Sequence, residues 1–194
     1  LGYQDGAEST PVWSHEGSGP NFLFGCYVSR AGDVNGDGFD DLVIGERLYS
    51  DEQRPERGRV LIFHRGANGP SDAPDWTALG PGPYARFGFC GAGIGDVDDD
   101  GFDDVAIGAP NYTEGTLKHC GFVEVYRGSR FGCETRPAWR VVGDHDGDMM
   151  GYFITSGDLN GDRVSDLVVK AQLWSSSVPE QGLVVTYFGK ARPK

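Results

Sequence analysis

Three nine-residue acidic stretches hold the residues most able to do chemistry in this chain. They read Asp33-Val-Asn35-Gly-Asp37-Gly38-Phe39-Asp-Asp41, Asp96-Val-Asp98-Asp-Asp100-Gly101-Phe102-Asp-Asp104 and Asp158-Leu-Asn160-Gly-Asp162-Arg163-Val164-Ser-Asp166. Each puts oxygen-bearing side chains at positions 1, 3, 5 and 9. A tight turn points alternate side chains inward, so this spacing can wrap one hard cation. Calcium accepts six to eight oxygens at flexible geometry and is the natural occupant, giving three Ca2+ sites. No nitrogen or sulfur donor recurs in the stretches, which argues against zinc or copper. An EF-hand is the rival reading, but it needs a bidentate Glu at position 12 and flanking helices. Position 12 here is Ile44, Ile107 and Val169, each inside a run that reads as a strand.

Catalysis has little support. His15, His64, His119 and His145 share no repeat position, and no Gly-x-Ser-x-Gly elbow, His-Glu-x-x-His motif or phosphate loop occurs. The expectation is a protein that is not an enzyme.

The elements that position the acidic stretches repeat with them. Trp13, Trp76 and Trp139 stand 63 residues apart, each two residues after a proline. Phe24-Gly25, Phe87-Gly88 and Met150-Gly151 keep the same step, and Gly58, Gly121 and Gly182 each open an apolar run, at 59–63, 122–126 and 183–187. Units of about 1–63, 64–126 and 127–189 therefore tile a single domain spanning 1–194. Each unit reads as four short strands: one after the Phe-Gly pair, one after the acidic stretch, one after the later glycine, and one carrying the tryptophan. The fold class is all-β, with four antiparallel strands per blade of a β-propeller and three blades per chain.

The order Phe-Gly, acidic loop, apolar strand, then Gly108-Ala109-Pro110 resembles the FG-GAP repeats of integrin alpha-subunit propellers. That resemblance implies a calcium loop joining the first two strands of each blade. Carried over by position, it implies ligands Asp33, Asn35, Asp37, Asp41 and the Phe39 carbonyl in the first copy. The second set is Asp96, Asp98, Asp100, Asp104 and the Phe102 carbonyl, and the third is Asp158, Asn160, Asp162, Asp166 and the Val164 carbonyl. It also implies that the face built from the loops at 46–57, 109–120 and 170–181 binds ligand. Arg47, Tyr49, Asn111, Tyr112 and Trp174 on those loops are residue types suited to contact, the alternative being ordinary solvated loops with Trp174 packing locally. Gly45-Glu46-Arg47 and Val169-Lys170-Ala171 replace Gly-Ala-Pro in two copies, and Arg163 replaces the glycine seen at Gly38 and Gly101. A position needing positive φ would make Arg163 costly, so the third site is expected to be the weakest and the second, with four carboxylates, the tightest.

Closed propellers have about four to eight blades. The chain opens on a tryptophan strand, the fourth of a blade, and ends on a third strand. The strand around Trp13 is expected to complete another blade, either in a homodimeric six-bladed ring closed by exchange of N-terminal strands or in a larger assembly that supplies the other blades.

The net charge of −12 excludes a basic nucleic-acid footprint, and no apolar run reaches the roughly 18 residues needed to span a bilayer. The chain opens on Leu1, read as a start set by processing or by the choice of fragment boundary. Four cysteines allow two disulfides. Cys120 and Cys133, which flank a predicted hairpin, are the favoured pair, with buried free thiols as the alternative. Loops of this kind suit near-millimolar calcium, which points to an extracellular or periplasmic compartment. The functional expectation is binding or adhesion to a protein or glycan partner, with calcium in a structural role. The alternatives are an architectural subunit of a surface or filament assembly and an accessory domain of a carbohydrate-active enzyme. Asn111-Tyr112-Thr113 fits a glycosylation acceptor. Asp144-His145-Asp146-Gly147-Asp148 is a second acidic cluster with no acidic counterpart in the other units, read either as a solvated turn or as a fourth cation site.

Overall fold

A computed structural model describes residues 10–190. Strands β1 (Phe24–Gly32), β2 (Asp41–Glu46) and β3 (Arg59–Phe63) begin the first blade. A short ribbon of β4 (Arg65–Gly66) and β5 (Gly69–Pro70) then leads to β6 (Trp76–Leu79), and the sheet order is β1-β2-β3-β6. The second blade is β7 (Cys90–Gly95), β8 (Asp104–Ala109), β9 (Phe122–Tyr126) and β10 (Trp139–Val142), again paired in sequence. The third holds β11 (Met150–Gly157), β12 (Asp166–Ala171) and β13 (Leu183–Tyr187). All blade pairings are antiparallel, and no helix occurs among the described residues.

The short β-branched runs form strands because most of their side chains are buried between neighbouring sheets, where such side chains pack well. The innermost strand β7 packs against both β1 and β11, so the blades stand side by side about a common axis. The middle blade shows the effect most clearly, since every residue of β8 and β9 is buried. At the outer flanks burial alternates instead: β13 leaves Val184 63% exposed and β1 leaves Val28 56% exposed.

Two apolar cores lie between the blades. The first joins Val43, Val60 and Ile62 to Phe87, Val105, Ile107 and Phe122. The second joins Ala106, Val123 and Val125 to Ile154, Leu167 and Val169. Close backbone approaches knit the junctions: Gly58 bridges Phe87 and Gly121 bridges Met150. A Cβ on Gly58 would meet the Phe87 carbonyl oxygen at 2.2 Å, which is why that position carries no side chain.

The repeated tryptophans are packing residues. Trp76 is 8% exposed and meets Tyr126 of the next blade edge-on at 5.0 Å, and Trp139 meets Tyr187 at 4.8 Å. Trp13 takes the matching place on Phe63 at 5.3 Å, and its Nε1 donates to the Ser71 carbonyl as Trp76 Nε1 donates to that of Glu134. The expected strand at Trp13, however, does not form: residues 10–23 contain no strand. A strand needs a ladder partner, and no described strand pairs with this segment. The described residues thus give eleven blade strands rather than twelve.

The expected disulfide is also corrected. All four cysteines are free. Cys120 sits at the start of β9 and donates to the Tyr112 carbonyl at 3.5 Å, whereas Cys133 follows the other end of β9 and joins the core with Trp76 and Tyr126. A five-residue strand spans roughly 17 Å, far beyond the reach of a disulfide. Burial pushes the Cys90 thiol up to about 12 and raises Cys133 as well, so both stay protonated.

The propeller topology puts the β1–β2, β7–β8 and β11–β12 turns at one end. The second-to-third-strand loops and the connections between blades lie at the other.

Candidate metal centre

Each acidic stretch is the hairpin turn between the first and second strands of its blade. The ninth residue pairs with the glycine just before the first: Asp41 with Gly32, Asp104 with Gly95, Asp166 with Gly157. The turn is folded by its own carboxylates. Asp33 accepts the amides of Asp37 (3.0 Å) and Gly38 (2.8 Å), and Asp96 accepts those of Asp100 (3.1 Å) and Gly101 (2.8 Å). Asp158 accepts those of Asp162 (3.2 Å) and Arg163 (2.9 Å). Fifth-position Asp37, Asp100 and Asp162 accept the amides of Phe39, Phe102 and Val164, the residues whose carbonyls the sequence nominates. Asn35 and Asn160 each accept the amide two residues on and donate to the fifth-position carboxylate.

The ninth residue ties the turn to the rest of its blade. Asp41 accepts Val34 and Arg65 amides, Asp104 accepts those of Val97 and Gly128, and Asp166 those of Leu159 and Gly189. These three carboxylates are at most 2% exposed. Burial raises Asp41 to about 6 and Asp104 to about 7 despite the backbone donors that pull them down. A divalent cation beside them would reverse that effect.

The residues present fit a hard divalent cation. The side-chain donors are all oxygens, and Asp96, Asp98 and Asp104 each offer one atom within 4.8 Å of the others. Asp98 also meets Arg127, whose Nε lies 2.6 Å from its Oδ2. The second turn is the most enclosed of the three, and the third the most exposed. Arg163 adopts φ +73 where Gly38 and Gly101 adopt +89 and +93, so the position does require a left-handed backbone and the third turn carries that strain.

The contact candidates at the opposite end each have their own neighbours. Arg47 lies over the Phe89 ring at 5.0 Å, and Tyr49 lies under Arg59 at 4.2 Å. The Asn111 carbonyl lies 3.2 Å from His119 Nδ1, and Tyr112 meets Phe122 edge-on. Trp174 packs against the second core and faces His145. Sequence reasoning missed a cavity of about 200 Å3 between the second and third blades, lined by Ile94, Val125, Trp139, Leu167 and Tyr187. It also missed Asp103, which links two turns: its Oδ2 accepts the Asp33 amide at 2.9 Å.

The family model described as FG-GAP repeat matches residues 27–63 and 91–125, the two stretches that contain the first and second turns. This chain carries an integrin-like FG-GAP domain. Integrin alpha-5 of Xenopus laevis is 34% identical over 176 residues, covering 86% of this chain and 16% of that protein. Integrin alpha-4 of the same species is 36% identical over 160 residues, covering 80% of this chain and 15% of that protein. Phosphatidylinositol-glycan-specific phospholipase D of Mus musculus is 32% identical over 190 residues, covering 95% of this chain and 22% of that protein. The FG-GAP domain thus spans less than a quarter of the length of these curated relatives. No helix among the described residues is long and apolar enough to cross a membrane.

Proposed function

We propose that this FG-GAP domain is an extracellular, calcium-stabilised propeller segment that takes part in adhesion by binding a protein or glycan partner. The observation that carries the reading is the three-fold recurrence of one oxygen-lined turn, with three carboxylates converging in the second copy. Calcium held there neutralises buried aspartates that the bare fold must otherwise shield, so its role is structural. The side chains at positions 1, 3, 5 and 9 bind the ion, and the ninth transmits its position to β2, β8 and β12. The likeness to integrin alpha subunits supports the adhesive role. A phospholipase D among the relatives keeps a second reading alive, in which the propeller is the accessory domain of an enzyme.

The partner that completes the ring belongs to the same proposal. Among the described residues the third sheet has three strands with none paired beyond β13, and the Trp13 segment joins no ladder. A second copy, or further blades, would join the two by strand addition.

Calcium titration tests the metal. A ligand that binds only the folded state at one hundred times its dissociation constant adds about 2.7 kcal/mol per site, so chelation should lower the melting temperature by well over ten degrees. Identical melting curves with and without chelator would remove the calcium reading. Solution mass tests the ring: a dimer supports strand exchange between two copies, and a monomer removes it. Binding to immobilised matrix proteins or a glycan array, abolished by blocking the end opposite the turns, tests the adhesive role.

A further inference from the structure

We propose that the loop joining the second and third blades is a binding site for a divalent transition-metal ion of the zinc class, held by Asp144, His145 and Asp148. This site lies at the end of the propeller opposite the calcium turns and stands independently of them. One ligand atom from each of the three residues lies within 4.8 Å of the other two. His145 Nδ1 is 2.8 Å from Asp144 Oδ1 and 3.6 Å from Asp148 Oδ2. Ligands at roughly 2.0–2.2 Å from a zinc ion stand close to those separations. The mixed set of one imidazole and two carboxylates favours a borderline ion over calcium, which the all-oxygen turns select.

Asp148 supplies the second, independent observation. Its side chain is 1% exposed, and its Oδ1 has no hydrogen-bond partner, while Oδ2 accepts the amides of Asp144 and His145. A buried carboxylate oxygen left without a partner costs stability unless a cation satisfies it.

The loop does not need these residues to hold its shape. The equivalent loop of the second blade has Ala85 in place of Asp148 and no acidic residue from Gly80 to Tyr84, yet it makes the same backbone bonds. Tyr84 donates to the Pro55 carbonyl at 2.8 Å as Gly147 donates to that of Lys118 at 2.8 Å, and Arg86 donates to that of Glu56 as Met149 does to that of His119. The residues Leu23, Arg86 and Met149 share φ values of 56, 53 and 54. The backbone therefore belongs to the repeat, and the carboxylates and imidazole are additions peculiar to the third blade. Asp144 and His145 are 76% and 55% exposed, leaving the site open to solvent above its buried floor. Trp174 stands beside it, ring centroid 6.4 Å from that of His145.

The test is zinc titration of the full chain in saturating calcium, read by calorimetry and by Trp174 fluorescence. The expected result is one zinc per chain with a fluorescence change. His145→Ala and Asp148→Ala should each weaken binding at least tenfold, and Asp72→Asn, at an exposed position outside the loop, should leave it unchanged. Asp148→Ala is expected to fold, because Ala85 fills the same place in the second blade; circular dichroism checks this, and His145→Ala at an exposed position decides if it does not. No zinc uptake by the wild type, or uptake that survives both substitutions, would overturn the proposal.

Discussion

Asp103 and Asp33 grip each other across the first two blades. The Asp103 carboxylate accepts the Asp33 amide at 2.9 Å, and the Asp103 amide donates to the Asp33 carbonyl at 3.1 Å. The first residue of one acidic turn is thus fixed by the eighth residue of the next. The second and third turns are joined more loosely, with the Ser165 amide 3.5 Å from the Asp96 carbonyl. Neighbouring acidic turns therefore share a backbone frame. Asp103→Ala should cost about 1–3 kcal/mol by orphaning the Asp33 amide. It should also weaken calcium binding at the first turn more than at the third, as resolved by titration of single-turn variants.

Arg163 should respond to the opposite change. Arg163→Gly keeps the amide that donates to Asp158 and relieves a left-handed backbone, so it should stabilise the chain by about 1 kcal/mol. Urea unfolding in saturating calcium measures this. A loss of stability would show that the arginine side chain contributes more than its backbone costs.

Glu124 provides the pH dependence. It lies 7% exposed in the middle blade, accepts a hydrogen bond from the Tyr126 hydroxyl at 2.7 Å and stands 3.7 Å from Arg140. Burial raises its pKa above the usual 4.5. A carboxyl raised in the folded state contributes stability that is full below its unfolded value and is lost as pH climbs through the folded one. The stability of the wild type relative to Glu124→Gln should therefore decline from pH 4 upward and level off once the folded group has ionised. Denaturation midpoints of the two proteins across pH 4 to 8 should show that difference, and parallel profiles would assign the slope elsewhere.

The tryptophans should differ by blade. Trp76→Ala removes a buried ring between two complete sheets and should cost about 3–5 kcal/mol. Trp13→Ala removes a half-buried ring from a segment without strand pairing and should cost less than half as much. Equal losses in urea denaturation would mean that the Trp13 segment is as well braced as β6.

What was legible in the sequence follows from what is local. Ligand spacing within nine residues, the 63-residue step of the tryptophans and the runs after Gly58, Gly121 and Gly182 each depend on short-range chemistry, and the strands fall where those signals place them. The misses are all contacts between distant residues. Cys120 and Cys133 look adjacent because they flank a hairpin, but they occupy its opposite ends. Trp13 keeps its repeat position without its strand, since strand formation depends on a neighbour outside its own unit. Asp103 carries no motif that distinguishes it from a solvated turn residue, and its partner lies 70 positions away. Asp148 was visible as an acidic residue, but its burial and its orphaned oxygen were not, because both depend on Lys118, His119 and Leu173 folding around the loop.

The way Trp13 docks has a bearing on how such a wheel is put together. Its indole is already seated against Phe63 and Ser71 although residues 10–23 form no strand. An incoming blade edge would meet an anchor whose position is set in advance, and would need only to zip along it. Assembly would then begin from a side-chain latch, with the ladder following.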